Sequence, residues 1–265
     1  MMKKYAILIP SYNSKLHDIV KTFTDIPVNS DVFVIDDGSI VPFADVVGSS
    51  LNAFQNLKII RLDVNCGIEN ALNKGLECII DNYDFVARLD IGDTCQAERY
   101  LQQANFLAEN KDYSIIGCWA SFYNEKGQFL FENKTPVSDK EIRKKMFINN
   151  MFVHPSVMMR CSSIKKVGVY SKKYPACEDY DLFFRLLSVG KGMNIPKPWV
   201  HYEVNSQSIS STKRKEQVRN RLKIIIKYFS LFEYGIYPYY GLIRNLMLLF
   251  MSRNISTKLR KFLIK

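Results

Sequence analysis

Glycine and proline are scarce, with 12 and 9 residues in 265. That scarcity excludes a collagen-like or low-complexity chain. Apolar residues are plentiful at 47%, which excludes intrinsic disorder. No CxxC pair occurs among the six cysteines (Cys66, Cys78, Cys95, Cys118, Cys161, Cys177). A zinc ribbon or thioredoxin-like motif is therefore not expected. Scattered cysteines in a chain this size read as buried, reduced thiols of a cytosolic protein. Long hydrophobic runs are also missing. The chain opens Met-Met-Lys-Lys, but the apolar run Tyr5–Ile9 ends at Pro10, too short for the core of a signal peptide. The most telling shortage is of acidic residues near the C-terminus. Residues 213–265 hold 13 basic residues against only Glu216 and Glu233. The preceding 212 residues hold 24 of each sign, so the whole net charge of +11 sits in the last 53.

What is present has the rhythm of an α/β domain. Tyr5–Ile9, Asp31–Ile35, Leu57–Leu62, Phe85–Leu89 and Tyr113–Tyr123 read as strands. Leu16–Thr24, Gly67–Ile80, Glu98–Asn110 and Glu178–Val189 carry helical spacing. Strands alternating with helices of this length imply βαβ units and a mostly parallel, Rossmann-like sheet with flanking helices. Ligands of such sheets sit beyond the carboxyl ends of the strands. Asp36-Asp37 and Asp90 fall there, each directly after an apolar strand. Residues 205–216 are polar and read as a linker. Val218–Phe250 reads as largely helical, broken near Gly235–Pro238.

Taken singly, the acidic motifs admit two readings each. Asp36-Asp37-Gly38-Ser39 is a common turn or a ligand site. Asp90 and Asp93 are an ordinary surface corner or a divalent-metal site, since Mg²⁺ and Mn²⁺ are often held by one or two carboxylates plus phosphate oxygens. Glu178-Asp179-Tyr180-Asp181 caps a helix or supplies a general base. His154 packs structurally, contacts substrate or ligates metal. Arg88 meets a donor or pairs with an acidic neighbour. A haloacid-dehalogenase phosphatase motif is set aside, because it needs carboxylates at i and i+2 and here they stand at i and i+3.

In combination the motifs are specific. Tyr5-Ala-Ile-Leu-Ile-Pro-Ser-Tyr-Asn, Val-Ile-Asp-Asp-Gly-Ser, Asn65-Cys-Gly67…Asn73-Lys-Gly75 and Ala-Arg88-Leu-Asp90-Ile-Gly-Asp93 follow one another in order. His154-Pro-Ser, Gly168-Val-Tyr170 and Glu178-Asp179-Tyr-Asp then complete the series. The set resembles the inverting family 2 glycosyltransferases of GT-A fold over residues 3–212. The resemblance implies a GT-A catalytic domain over 1–212, with a nucleotide-sugar half (1–123) and an acceptor half (124–212). It implies Pro10, Tyr12, Asp37, Asn65, Asn73, Arg88 and Asp90 around the nucleotide sugar, and Asp90 and Asp93 at a Mn²⁺ or Mg²⁺ ion. Asp179 would be the catalytic base, and His154 and Glu178 would face the acceptor. The expected reaction moves a sugar from a UDP-sugar to a glycan hydroxyl with inversion, as in lipopolysaccharide, lipooligosaccharide or capsule biosynthesis. Two departures stand out. The usual Asp-x-Asp-Asp has Gly92 at its third position. Tyr202-Glu203-Val204-Asn205 stands where relatives show Tyr-Arg-x-His. They motivate an alternative, a catalytically silent nucleotide-sugar-binding or scaffold protein of the same fold.

The basic segment 213–265 interleaves Lys and Arg with Tyr, Phe and Leu, and its longest charge-free stretch, Tyr234–Ile243, is too short to span a bilayer. It reads as a helical, basic-amphipathic extension lying on an anionic membrane surface. The expected partners are therefore the donor, a glycan or lipid-linked glycan acceptor and that surface, on the cytoplasmic side of a bacterial inner membrane. No nucleic-acid motif accompanies the charge.

Overall fold

The computed structural model of the chain describes residues 4–204 and 213–250. The first half builds β1 (Tyr5–Ser11), α1 (Leu16–Phe23), β2 (Asp31–Asp36), α2 (Phe43–Val47), β3 (Leu57–Arg61), α3 (Ile68–Ile79) and β4 (Phe85–Arg88). Then come β5 (Thr94–Cys95), α4 (Glu98–Glu109), β6 (Tyr113–Asn124), β7 (Phe129–Asn133), α5 (Asp139–Met146) and β8 (Met158–Arg160). The remainder is α6 (Cys161–Val167), α7 (Glu178–Val189), β9 (Lys191–Val204), α8 (Arg214–Lys227) and α9 (Tyr237–Phe250).

The strands form one sheet in the order β3-β2-β1-β4-β8-β6-β9-β5, with β7 beside β6. The α/β class is as expected. Parallel pairing joins β1 to β2 and β4, β2 to β3, and β6 to β9. The other pairings are antiparallel. The parallel order is thus concentrated in the first half and becomes mixed beyond β4. Alternate strand residues feed two cores. Ala6, Leu8, Phe33, Ile35 and Val86 face α3 and α7, while Ile7, Ile9, Val32, Val34 and Phe85 face α1, α2 and α4. Burial on both faces explains the continuous apolar runs of β1 and β2. In β3, by contrast, Lys58, Ile59 and Arg61 are exposed, as befits an edge.

Strand β9 was not anticipated. It contains Pro196 and Pro198, which cannot donate to a ladder. The register absorbs them: Cys118 faces Ile195, Trp119 faces Pro198 and Ala120 faces Val200. Prolines in sheets are confined to such irregularities.

The expected division at residue 212/213 is corrected by packing. Ile224 and Ile225 of α8 are fully buried in the same core as α3 and α7. Asp181 on α7 receives Arg185 at 2.8 Å, Lys227 at 2.9 Å and the Tyr228 hydroxyl at 3.3 Å. Helix α8 therefore belongs to the catalytic body. Residues 214–216, read as linker, form its first turn, and residues 205–212 lie outside the described residues, as does the basic cluster after 250. Among the described residues no helix is long and apolar enough to cross a membrane. The expected burial is found for Cys95, Cys118, Cys161 and Cys177, but Cys66 is exposed and Cys78 half-buried.

Candidate active site

Two clefts open at the carboxyl ends of β1, β2 and β4. The first, about 540 Å³, is lined by Pro10, Tyr12, Asp37, Asn65, Asp90 and Lys213, among others. The second, about 560 Å³, takes in Asp90, Asp93, His154, Glu178, Asp179 and Arg221. They share Ile68, Asp90, Ile91 and Ala176. Asp90 thus stands where the clefts join. Ala176, also at the junction, adopts φ 60°, a left-handed conformation rare outside glycine. Such strained residues concentrate at functional sites.

The loop after β2 shapes the first cleft. Asp36 accepts the backbone N–H of Ser39 and Phe43, both at 2.9 Å, and Arg61 Nη1 at 2.9 Å. Burial raises its pKa, but the Ser39 hydroxyl, these N–H donors and Arg61 outweigh that and lower it overall. Asp37 accepts Cys66 N at 2.8 Å and Gly67 N at 2.9 Å, which ties the 65–67 loop across the cleft floor. Gly38 between the loops has φ 67°, and a Cβ there would lie 2.4 Å from the Val64 carbonyl carbon. The tight turn of Asp-Asp-Gly-Ser is therefore required sterically. Tyr12 is half exposed at the rim, where a flat base could lie against it.

Asp90 is held from behind. The fully buried Arg88 donates from Nη2 to Asp90 Oδ1 at 2.5 Å and from Nη1 to the carbonyls of Leu8 and Leu89 at 2.6 and 3.0 Å. Its Nε reaches His154 Nε2 at 3.3 Å, which in turn lies 2.9 Å from the Tyr170 hydroxyl. From the residues alone Arg88 was read as meeting the donor or pairing with an acidic neighbour, and the pairing, with Asp90, is what the structure has. Arg88 lines neither cleft and instead orients Asp90 and His154. Burial, with the Arg88 charge, pushes His154 down to about 3, so the ring is neutral.

In the second cleft Asp179 Oδ2 accepts Asn150 Nδ2 at 2.8 Å and Oδ1 accepts Tyr180 N at 2.7 Å. Burial nevertheless pushes its pKa up to about 6, above the usual carboxylate range. Its neighbour Glu178 is raised further by burial and by the Asp179 charge, and Glu178 Oε2 has no hydrogen-bond partner. Asp93 Oδ1 accepts Glu203 N at 2.9 Å, while Asp93 Oδ2 is buried without a partner. Burial and the nearby Asp90 raise Asp93 well above normal. An orphaned carboxylate oxygen beside a second carboxylate fits a cation or a proton. No cluster of three or more His, Cys, Asp or Glu suited to a metal occurs among the described residues. Gly92 has φ 97° and donates its N–H to Thr22 Oγ1 at 2.9 Å, so a carboxylate-bearing residue there would be strained.

Asn73 is a second correction. Its amide nitrogen donates to Tyr170 O and its oxygen accepts Tyr170 N, both at 2.9 Å. It clips α3 to the segment before α7 and lines neither cleft. Several contributors were not assigned from sequence. Arg99 and Gln103, one turn apart on α4, grasp the carbonyls of Pro155 at 2.5 Å and Ser156 at 2.9 Å and so place the His154 turn. Asn150, Lys213, Gln217 and Arg221 line the clefts as well. The i, i+4 spacing of Arg99 and Gln103 was visible, but not which backbone they would reach.

The Glycosyl transferase family 2 profile matches residues 6–168. The chain belongs to this family. Members of family 2 are glycosyltransferases, and this member is a transferase enzyme. Its relatives include the amylovoran biosynthesis glycosyltransferase AmsE of Erwinia amylovora, 24% identical, with 98% of this chain and 97% of AmsE covered. Another is the UDP-Gal:alpha-D-GlcNAc-diphosphoundecaprenol beta-1,3-galactosyltransferase of Escherichia coli, 27% identical over 89% of this chain and 84% of that protein. Among solved structures, S. aureus TarS 1-349 in complex with UDP-GlcNAc superposes with a TM-score of 0.64 at 18% identity, covering 92% of this chain and 71% of that one. The Pyrobaculum calidifontis mannosyltransferase PcManGT in complex with GDP-Man and Mn2+ gives 0.67 at 12% identity, covering 95% and 71%. These likenesses establish a shared GT-A fold for this family 2 member.

Proposed function

We propose that this family 2 enzyme transfers a sugar from a UDP-sugar to a hydroxyl of a lipid-linked glycan precursor, with inversion, in the assembly of a bacterial surface polysaccharide. The observation that carries the reading is the junction of two clefts at Asp90, with a carboxylate of raised pKa, Asp179, in the second. The first cleft takes the nucleotide sugar against Pro10, Tyr12 and Asn65. Asp37, although tied to the 66–67 backbone, keeps acceptor capacity for an N–H or hydroxyl of the nucleoside. The second cleft takes the acceptor. Asp179 removes the proton of the attacking hydroxyl, whose oxygen bonds to the anomeric carbon as the bond to the departing diphosphate breaks. A single displacement turns an α-linked donor into a β-glycoside. Asp90 and Asp93 are the residues that would hold a divalent ion, with donor phosphates completing its shell. Such an ion neutralises charge on the leaving group. The naming of the E. coli relative, with its UDP-Gal donor and diphosphoundecaprenol acceptor, supports the substrate classes.

We further place the enzyme at the cytoplasmic face of an anionic membrane. What supports this is the exposed apolar run from Phe232 and Ile236 to Ile243, Met247 and Phe250, set beside the basic residues of α8. Replacing Phe232 and Ile236 with serine should abolish flotation with anionic liposomes; unchanged flotation would remove the membrane placement. For the chemistry, purified enzyme with Mn²⁺ should turn over one member of a panel of UDP-, GDP- and dTDP-sugars, by slow hydrolysis or by transfer. Metal-dependent UDP binding with no turnover on any acceptor pool would instead favour a silent binder.

A further inference from the structure

Helix α8 presents one face to both clefts. Lys213 at its start lines the first cleft, and Gln217 and Arg221 line the second. These three stand four residues apart, so they share a helix face, and Lys213 and Arg221 are about 12 Å apart along the axis. The helix is anchored close to this face. Asn220 Nδ2 donates to Pro175 O at 2.9 Å, Gln217 Nε2 to Ala176 O at 3.2 Å, and Cys177 Sγ to Gln217 O at 3.3 Å. Its position is therefore fixed against the loop that leads into Glu178 and Asp179.

Arg221 is the single cation among the described residues lining the second cleft, facing Asp90, Asp93, Glu178, Asp179 and Glu203. It is near enough to Asp179 to counter the effect of burial on that carboxyl. Yet among the described residues its guanidinium makes no ion pair within 4.0 Å and no side-chain hydrogen bond, although neighbouring cations such as Arg185 and Lys227 do. A guanidinium retained only to neutralise carboxylates would be expected to bond one of them. Its planar fork of donors matches a phosphate.

We propose that Arg221 binds a phosphate or diphosphate group of the acceptor, so that this cleft selects a phosphate-bearing acceptor over a neutral glycan. The inference rests on the glycosyltransferase reading and assigns the acceptor class within it. The diphosphate chemistry could equally belong to the departing nucleotide, which the first cleft would hold near Lys213. The two sources are separable.

The test uses the full chain saturated with UDP and Mn²⁺, which fills the donor cleft. Binding of octyl diphosphate, with octyl glucoside as the uncharged counterpart, is followed by calorimetry. The wild type should bind octyl diphosphate under these conditions. Arg221→Gln should weaken that binding by at least about tenfold, as expected for loss of a charge-assisted contact. Arg221→Lys should restore part of it, and octyl glucoside should be indifferent to either change. A thermal melt establishes that both variants remain folded. Three results would overturn the proposal: no octyl diphosphate binding once UDP is present, equal binding by wild type and Arg221→Gln, or a loss in Arg221→Gln that falls on UDP itself. Failure of UDP and Mn²⁺ to bind at all would count against the glycosyltransferase reading, while binding of octyl diphosphate to the unsaturated protein would still report on Arg221.

Discussion

The acidic residues around the two clefts fall into two groups. Asp36 and Asp37 have every oxygen engaged, between them by four backbone N–H groups and Arg61. Asp93 and Glu178 each bury an oxygen with no partner, and the pKa of Asp179 is held above its ordinary value. The first group holds two loops in place. The second is kept under-satisfied, a state that costs stability and is tolerated where a ligand, ion or proton completes it. A carboxylate in such a site is identified by what it lacks as much as by its position.

The comparison can be broken most forcefully at Asp179. Asp179→Asn should cut transfer by about 10²–10⁴-fold while the protein remains folded, because it removes the proposed base and keeps the side chain's shape. Retention of full activity would move the base elsewhere. Asp36→Ala should do the reverse, costing about 3 kcal/mol in urea unfolding by stranding Arg61 and two N–H groups. The expected loss of activity follows unfolding only. The pH profile comes next. Asp179 acts when ionised, so transfer should rise about tenfold per pH unit below about 6 and level above it. Stability runs the opposite way. The native pKa values of Asp179 and Glu178 lie above their unfolded values, so stability is lost as pH rises through them. Glu178→Gln should therefore raise the melting temperature in alkaline buffer and leave it unchanged near pH 4. The smallest effect is at Asn73. Asn73→Ala should cost about 1–2 kcal/mol through its two bonds to Tyr170, with the donor KM unaltered. A raised donor KM alone would return Asn73 to the nucleotide site.

Much of this arrangement was legible in the chain. β1, β2 and β4 announce themselves as apolar runs because both faces are buried, and the acidic residues after them fall at the cleft for topological reasons. Strand β9 was hidden because Pro196, Pro198 and two lysines, Lys191 and Lys197, mask an extended segment, and only its register with β6 shows how the prolines fit. The roles of Arg88 and Asn73 were hidden for a different reason. Their positions beside the site were readable, but the direction of a side chain over its last few bonds depends on partners 66 to 97 residues away in sequence. The C-terminal basic charge, read as an address for a membrane, turned out to include an inward-facing share, since helical periodicity alone does not say which face meets a cleft.

That inward-facing share changes how the molecule could be altered or inherited. The surface nearest Asp179 comes in part from α8, a helix contributed from beyond residue 212, whereas the first cleft is largely lined by loops of the first hundred residues. A chain cut at Thr212 would keep most of the donor cleft and lose a wall of the other. A chimera that exchanged residues 213–250 between two family members would rebuild one wall of the second cleft and leave most of the first unchanged, so on the proposed reading acceptor choice could diverge while donor choice stayed the same.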